Sequence, residues 1–356
     1  MSLFDTKESW EENLRDAFAG FIASVEFVRL GRRRQPEDAD PDDQRPLRPS
    51  SQRIYQTMFA HFCKWLTARD IKFSDVTHEH IAIFLDQPSD DPDGGRGSVR
   101  LASKIRVVYI RILERVFTHL KVEPNPASLV VLDKAKHFKR GKEEDKSFLT
   151  EAEIDLFMEH LPAAAPFIEK LAIDRSWKKR RDRAMLALMI GAGLKVSEVV
   201  AIETDSVGAV DATTGSVPIN IRSWESDGTS RPHRAMLRPF AAKEVLAWRE
   251  ERKFLKIPGK LLFPSALKPK NRKTNQLNKA TVYRSVKDTF VLAGIDVSRM
   301  GGRTLRNTFA IHELETQSPE LVGEFLGHRK MRSTERYLPY TQRAALKKTK
   351  LGDGGK

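Results

Sequence analysis

Residues 303–310 read Arg303-Thr304-Leu305-Arg306-Asn307-Thr308-Phe309-Ala310. Downstream come Leu326-Gly327-His328 and then Ser333-Thr334-Glu335-Arg336-Tyr337, with Tyr337 nine positions after His328. One short C-terminal segment thus holds a phosphate-binding guanidinium, an imidazole and a phenol. A phenol with its ordinary pKa of about 10 is a poor nucleophile at neutral pH. Beside a guanidinium and an imidazole, and aimed at a phosphodiester, it becomes a competent one. Each residue also has a structural explanation. A lone Tyr is usually half-buried core, and Tyr340 shows that aromatics recur here; His328 after Leu-Gly fits a helix cap; Arg303 and Arg306 fit surface cations. It is the joint spacing that points to chemistry.

A formal charge of +14 and a pI near 9.8 imply a polyanionic partner, nucleic acid first. Basic ribosomal and membrane-surface proteins share such a charge. The 40% hydrophobic content, with helical periodicity, argues for a folded chain rather than a basic tail. At 356 residues the chain has room for two domains, each with its own core. A single cysteine, Cys63, excludes an intramolecular disulfide and a cysteine-rich metal site. Beside Phe62, Trp65 and Leu66 it reads as a reduced core thiol. Met1-Ser2-Leu3-Phe4-Asp5 lacks the apolar core of a signal peptide. The run Ala184 to Leu194 is shorter than the about 20 residues a membrane span needs. The expectation is a soluble, cytoplasmic protein with no membrane partner.

Lys7 to Leu30 reads as one helix, with Trp10, Leu14, Phe18, Phe21 and Ile22 at helical spacing. Docking on a neighbouring domain or subunit and contact with DNA are both open to it. Gly31 to Ser50, with Arg32-Arg33-Arg34 and an Asp/Pro run, has the composition of a linker or disordered arm. Ser50 or Ser51 is expected to cap a helix whose apolar face is Tyr55, Phe59, Phe62 and Leu66. A second helix follows Asp75-Val76-Thr77 and carries Ile81, Phe84 and Leu85. In the third, Leu101, Ile105, Val108, Ile112 and Val116 form the expected buried stripe. Arg100, Lys104, Arg111 and Arg115 form an adjacent basic one, able to track a phosphate backbone, although a solvated helix face has the same pattern. A helix with Leu129, Val130 and Leu132 is expected to close this unit, and the charged run Lys139 to Lys146 to separate it from the rest.

Phe148-Leu149-Thr150-Glu151-Ala152-Glu153-Ile154 is a Thr-capped helix start with Glu at the capping-box position. Asp182 to Ile190 is an apolar helix ending at Gly191-Ala192-Gly193, and Leu194-Lys195-Val196-Ser197-Glu198-Val199 begins another. Val217 to Trp224 and Pro232 to Leu237 read as strands around an Asp227-Gly228 hairpin turn. Ala241 to Phe254 and Thr281 to Leu292 are helical; between them Lys268, Lys270, Arg272 and Lys273 make a second candidate phosphate patch.

Taken together, these elements resemble the tyrosine recombinase (phage integrase) family. Arg306 falls on the second catalytic arginine of the family's His-x-x-Arg, His328 on its His/Trp position after Leu-Gly, and Tyr337 on its nucleophile. The Thr-capped helix matches the opening of the family's catalytic domain, and Gly193 to Glu198 its Gly-Leu-Arg-x-Ser-Glu element. The resemblance is close over about Lys146 to Ala344 and loose over about Ser51 to Phe138. The chain departs where Lys195 replaces the first catalytic arginine and where Arg303 replaces the histidine. It also has no lysine between Lys195 and Lys243, where the family's hairpin supplies a general acid.

The resemblance implies a mainly α fold with a small β-sheet (α+β). Residues 1–50 would be an N-terminal helix and charged linker, 51–138 a helical core-binding domain and 139–147 a linker. Residues 148–345 would be the catalytic domain and 346–356 a basic tail. The two domains would close as a C-shaped clamp on double-stranded DNA. Tyr337 would attack the scissile phosphate, form a 3′-phosphotyrosyl bond and release a 5′-hydroxyl, with no metal or other cofactor. Arg306, Lys195 and Arg303 would supply charge to the transition state; Lys195 lacks the planar fork, and Arg303 would partly offset that. His328 would bond a phosphate oxygen or take the tyrosine proton. Arg222, Arg231 and Arg234 occupy the hairpin region, but a guanidinium does not readily release a proton. Assembly as a homo- or hetero-tetramer, alone or with other recombinases, is implied as well. Three readings follow: a divergent active recombinase of a mobile element, a recombinase-fold DNA-binding accessory protein, and a helical transcription regulator with chance motifs. The first is preferred, because a protein freed from cleavage has no evident reason to keep Arg306, His328 and Tyr337 in register.

Overall fold

The computed structural model describes residues 7–31, 46–87, 103–130, 147–163, 176–222, 232–267 and 275–342. They divide into two units, Met1–Lys142 and Glu143–Lys356.

In the first unit the single helix expected from Lys7 to Leu30 is three: α1 (Lys7–Glu12), α2 (Leu14–Ala23) and α3 (Val25–Leu30). Ser24 makes the second break. Its backbone is extended, its N–H and Oγ donate back to the Phe21 carbonyl, and its Oγ accepts the Phe27 N–H at 3.3 Å. A Ser that satisfies the end of one helix and the start of the next is a ready break point. The break turns Phe18, Phe21 and Phe27 toward one core. Phe18 stacks on Phe59 of α4 (Pro49–Thr67) with ring centroids 4.1 Å apart, and Trp10 meets Phe21 and Phe59 edge-on. The N-terminal segment therefore packs within its own unit.

Other details differ from the sequence expectation. Helix α4 starts at Pro49, whose fixed φ suits a first helical position, with Arg48 rather than a serine before it. Helix α5 (His78–Asp86), by contrast, follows Thr77 as expected, buries Ile81, Phe84 and Leu85, and opens on a Thr77–His80 capping box. In α6 (Ser103–His119) the predicted stripe holds at Ile112 and Val116, both buried, but not at its start, and Val108 is only half-buried. Ile105 is 42% exposed, while Arg106 is buried and paired to Asp86 at 2.8 Å, followed inward by Tyr109, Leu113, Val116 and Phe117. Leu101 lies outside the described residues. The nearly continuous apolar run 107–113 leaves the helical phase open, and in the first turn it is Arg106, paired to the largely exposed Asp86, that faces inward. Residues 125–130 are turn and irregular structure rather than the start of a helix, with Leu129 exposed; Leu132 lies outside the described residues. Cys63 is buried, and burial pushes its thiol up to about 12.

The second unit is built around α8 (Trp177–Ala192), buried on every side from Ala184 to Ala192, as an all-round apolar helix must be. It follows α7 (Glu151–Glu159), which carries the expected Thr150–Glu153 capping box. Against α8 pack α9 (Val196–Ala201), α10 (Pro239–Phe254), α11 (Lys279–Leu292) and α12 (Gly302–Leu314). Gly191 is what lets α10 approach so closely: a Cβ there would lie 2.4 Å from that of Ala241. Strands β1 (Val217–Ile221) and β2 (His233–Leu237) form an antiparallel pair with Val217 opposite Leu237 and Ile221 opposite His233. Both are shorter than expected, and the Asp227-Gly228 turn lies outside the described residues. Two short helices, α13 (Pro319–Phe325) and α14 (Arg332–Glu335), complete the mainly α architecture. Among the described residues no helix is long and apolar enough to cross a membrane.

If Phe18 anchors the N-terminal segment, Phe18→Ala should lower stability by about 3–5 kcal/mol. Chemical denaturation of the full chain reads this, and a loss below about 1 kcal/mol would show that the segment lies outside the cooperative core.

Candidate active site

Helix α12 begins after Gly301, at φ 144°, and places Arg303 outward and Arg306 inward one turn later. Arg306 is 7% exposed. Its Nη1 donates to the Gly193 carbonyl at 2.8 Å and its Nη2 to the Leu326 carbonyl at 2.5 Å, while Nη1 stands 3.7 Å from a Glu198 oxygen. A guanidinium has five N–H donors, so two backbone bonds orient the fork without exhausting it. Burial pushes the Arg306 pKa below its ordinary value, and the nearby Glu198 and Tyr337 oppose that shift. Glu198 is itself buried and serves Lys195 too. It accepts the Lys195 backbone N–H at 2.7 Å and pairs with its Nζ at 3.0 Å, leaving the lysine side chain half exposed. Lys195 and Arg306 therefore share one carboxylate.

The Leu326-Gly327-His328 sequence is the C-terminal cap of α13. Gly327 takes a left-handed φ of 62°; its N–H returns to the Glu324 carbonyl at 3.0 Å and that of His328 to the Gly323 carbonyl at 2.9 Å. These are the two bonds of a Schellman cap. A Cβ on Gly327 would also meet the His233 ring at 2.6 Å. The cap and the site are thus the same residues: the His328 backbone closes the helix, while its Nδ1 lies 2.9 Å from Thr334 Oγ1. One loop further on, the half-buried Tyr337 ring lies parallel to the His328 ring, with centroids 6.4 Å apart and planes within 4°. Its Oη donates to Asn307 Oδ1 at 3.1 Å. Burial raises the phenol pKa, and Arg306 and Arg303 pull it back.

Lys195, Arg303, Arg306, His328 and Tyr337 are thus brought together through Glu198, α12 and the α13 cap. Arg111 is exposed on α6, while Arg115 is half-buried, its guanidinium lying over the Phe27 ring at 4.6 Å and against Gly31. Only the backbone of Lys104 is described, and Arg100, Lys268, Lys270, Arg272 and Lys273 lie outside the described residues. Of the hairpin arginines, Arg222 bonds Glu203 at 2.6 Å and Asp205 at 2.9 Å, chiefly the latter raising its pKa further from that of a proton donor. Arg234 is exposed, and Arg231 lies outside the described residues. Sequence reading missed Asn307 and Thr334, both buried polar residues. Neither stands out locally, since Asn307 lies between Arg306 and Thr308 and Thr334 between Ser333 and Glu335.

A phage integrase family model matches residues 147–343, more than half of the chain. The chain belongs to the phage integrase family. It is a tyrosine recombinase by descent, with the α-rich fold of that family. It is 25% identical over 279 residues to tyrosine recombinase XerD of Yersinia pestis, covering 77% of this chain and 81% of that one. It is 32% identical over 162 residues to tyrosine recombinase XerC of Salmonella typhi, covering 44% and 47%. Its structure resembles that of XerH site-specific recombinase bound to a palindromic difH substrate in a post-cleavage complex. The TM-score is 0.61 at 16% identity, covering 99% of this chain and 98% of that one.

Gly327→Ala tests the cap. It places a side chain in a left-handed conformation costing roughly 1–2 kcal/mol and drives a methyl into His233. Thermal or chemical denaturation should show a loss of at least that size, whereas Gly20→Ala, which meets nothing within 4 Å, should not destabilise.

Proposed function

We propose that this phage integrase family member is a site-specific DNA recombinase of a mobile element, cutting and rejoining DNA through a 3′-phosphotyrosyl bond at Tyr337. The observation that carries the proposal is the placement of the Tyr337 phenol within the fields of Arg303 and Arg306 and parallel to His328. In cleavage, Tyr337 Oη bonds to phosphorus as the bond to the 5′-oxygen breaks. The phenol gives up its proton, and the departing oxygen gains one to leave as a hydroxyl. Attack by a 5′-hydroxyl of a partner strand reverses both changes, so the phosphodiester energy is conserved. Arg306, Arg303 and Lys195 stabilise the charge that develops on the non-bridging oxygens, and His328 bonds one of them or receives the phenol proton. The raised Tyr337 pKa means that the resting phenol is neutral at physiological pH, so deprotonation accompanies attack. Double-stranded DNA is the substrate, bound by a tetramer of this chain alone or with other recombinases. The pairing of Lys195 to Glu198 and the lysine-free hairpin favour a second reading, a DNA-binding accessory protein with weakened cleavage.

A nicked suicide substrate bearing the element's end sequence separates the two. The active recombinase yields a protease-sensitive covalent protein–DNA adduct that Tyr337→Phe abolishes. Specific binding without an adduct, with partner recombinases present, supports the accessory protein.

The salt dependence of binding tests the helical unit. Arg111→Ala should flatten the slope of log K against log salt by about 0.9, the value for one phosphate contact. Arg115→Ala should leave the slope unchanged, because its guanidinium is held over Phe27; equal slopes for wild type and Arg111→Ala would remove that face of α6 from the interface.

A further inference from the structure

Asn307 follows Arg306 on α12 and is 5% exposed. Its amide is held at both ends: Nδ2 donates to the Ser147 carbonyl at 3.0 Å, and Oδ1 accepts from Tyr337 Oη at 3.1 Å. The first bond dictates the second, because only the oxygen end of the amide can accept a hydroxyl proton. The segment carrying Ser147 is in turn fixed to α12. The Leu149 N–H donates to Thr308 Oγ1 at 2.8 Å, and His312 Nε2 lies 2.9 Å from the Leu149 carbonyl. Asn307 Oδ1 is therefore a rigid acceptor, set by the stretch of chain that enters the second unit.

Resting on the reading of Tyr337 as nucleophile, we propose that Asn307 is its positioning residue, fixing the direction of the Oη–H bond and hence of the lone pairs that attack. A freely rotating phenol hydroxyl would spread those lone pairs over many directions, and a productive attack needs one of them. An amide oxygen is far too weak a base to keep the proton, so Asn307 orients the nucleophile and does not deprotonate it. The charged and titratable groups facing Tyr337 are Arg303 and Arg306 from α12 and the His328 imidazole from the α13 cap. Asn307 adds no charge to them, so wild-type cleavage owes no ionisation to this position.

The test uses the full chain and the nicked suicide substrate, with the single-turnover rate of adduct formation followed over a pH series and DNA affinity measured beside it. Asn307→Leu removes the acceptor at similar size. It should slow adduct formation roughly 3- to 10-fold, the scale of one net hydrogen bond, with unchanged DNA affinity. Asn307→Asp keeps the acceptor. It should retain more of the rate while gaining a pH dependence from its own carboxyl that the wild type lacks. A merely structural role would slow both variants alike, with parallel losses of melting temperature and affinity. Should Asn307→Leu fail to fold, the Asp variant decides, since a wild-type pH profile there overturns the proposal. Asn307→Leu cutting at the wild-type rate overturns the positioning role and leaves Tyr337 as nucleophile. Absence of any adduct from the wild type removes the nucleophile itself, and the proposal with it.

Discussion

A buried guanidinium holds this site together. Arg306 is taken out of water on α12, and an uncompensated charge in that position would be strongly destabilising. What compensates it are the C-terminal ends of two other helices. Gly193 ends α8 and Leu326 ends α13, and each gives Arg306 a carbonyl that helix geometry leaves without an intrahelical partner. Helix C-termini carry partial negative charge, so both ends favour the cation electrostatically as well as through hydrogen bonds. Glu198 adds a full negative charge at the start of α9. Helices that are far apart in sequence thus converge on one charge, beside the apolar contacts of Phe309, Ala310 and Leu314 with Val322 and Leu326.

That convergence explains the two glycines. Gly193 at φ 64° and Gly327 at φ 62° each turn the chain at a helix end, and the carbonyl of Gly193 itself and that of Leu326, just before Gly327, face Arg306 on α12. Each is also crowded: a Cβ on Gly193 would lie 2.6 Å from the Phe309 ring, and one on Gly327 2.6 Å from the His233 ring. The glycines serve the arginine, and the arginine fixes the loop from which His328 and then Tyr337 are presented. Stability and the proposed chemistry therefore depend on the same contacts.

The parts of this arrangement that were legible in the sequence are those encoded by short spacing. Arg306, Leu326-Gly327-His328 and Tyr337 could be read because a fixed number of residues separates them and each residue type carries its own chemistry. The Thr150–Glu153 box and the apolar α8 were legible for the same local reason. The bond from Tyr337 to Asn307, and that of Asn307 to Ser147, span 30 and 160 positions, and no local pattern encodes them. The first turn of α6 was misread because the charged Arg106 turns inward and pairs with Asp86 on α5, a pairing that hydrophobic periodicity cannot anticipate. The break at Ser24 was hidden for a related reason. The apolar spacing through α2 and α3 suits a continuous helix, and it is the Ser24 cap together with the shared core of Phe18, Phe21 and Phe27 that selects the kinked path.

The exchange of arginine for lysine at Lys195 can be weighed by counting charge around Glu198. Lys195 and Arg306 both pair with that one carboxylate, so these three groups together leave a single positive charge for a phosphate. A lysine ammonium reaches Glu198 as a point charge from its own helix start and stays half exposed, whereas a forked arginine there would compete with Arg306 for the same oxygens. In the proposed reaction the transition state approaches a dianion, and one net positive charge under-compensates it. Arg303, exposed on the face of α12 that looks toward Tyr337, brings the total to two. A lysine carries the same charge as an arginine, so what Arg303 would add beside Lys195 in the proposed reaction is a further cation with the planar fork that the lysine lacks.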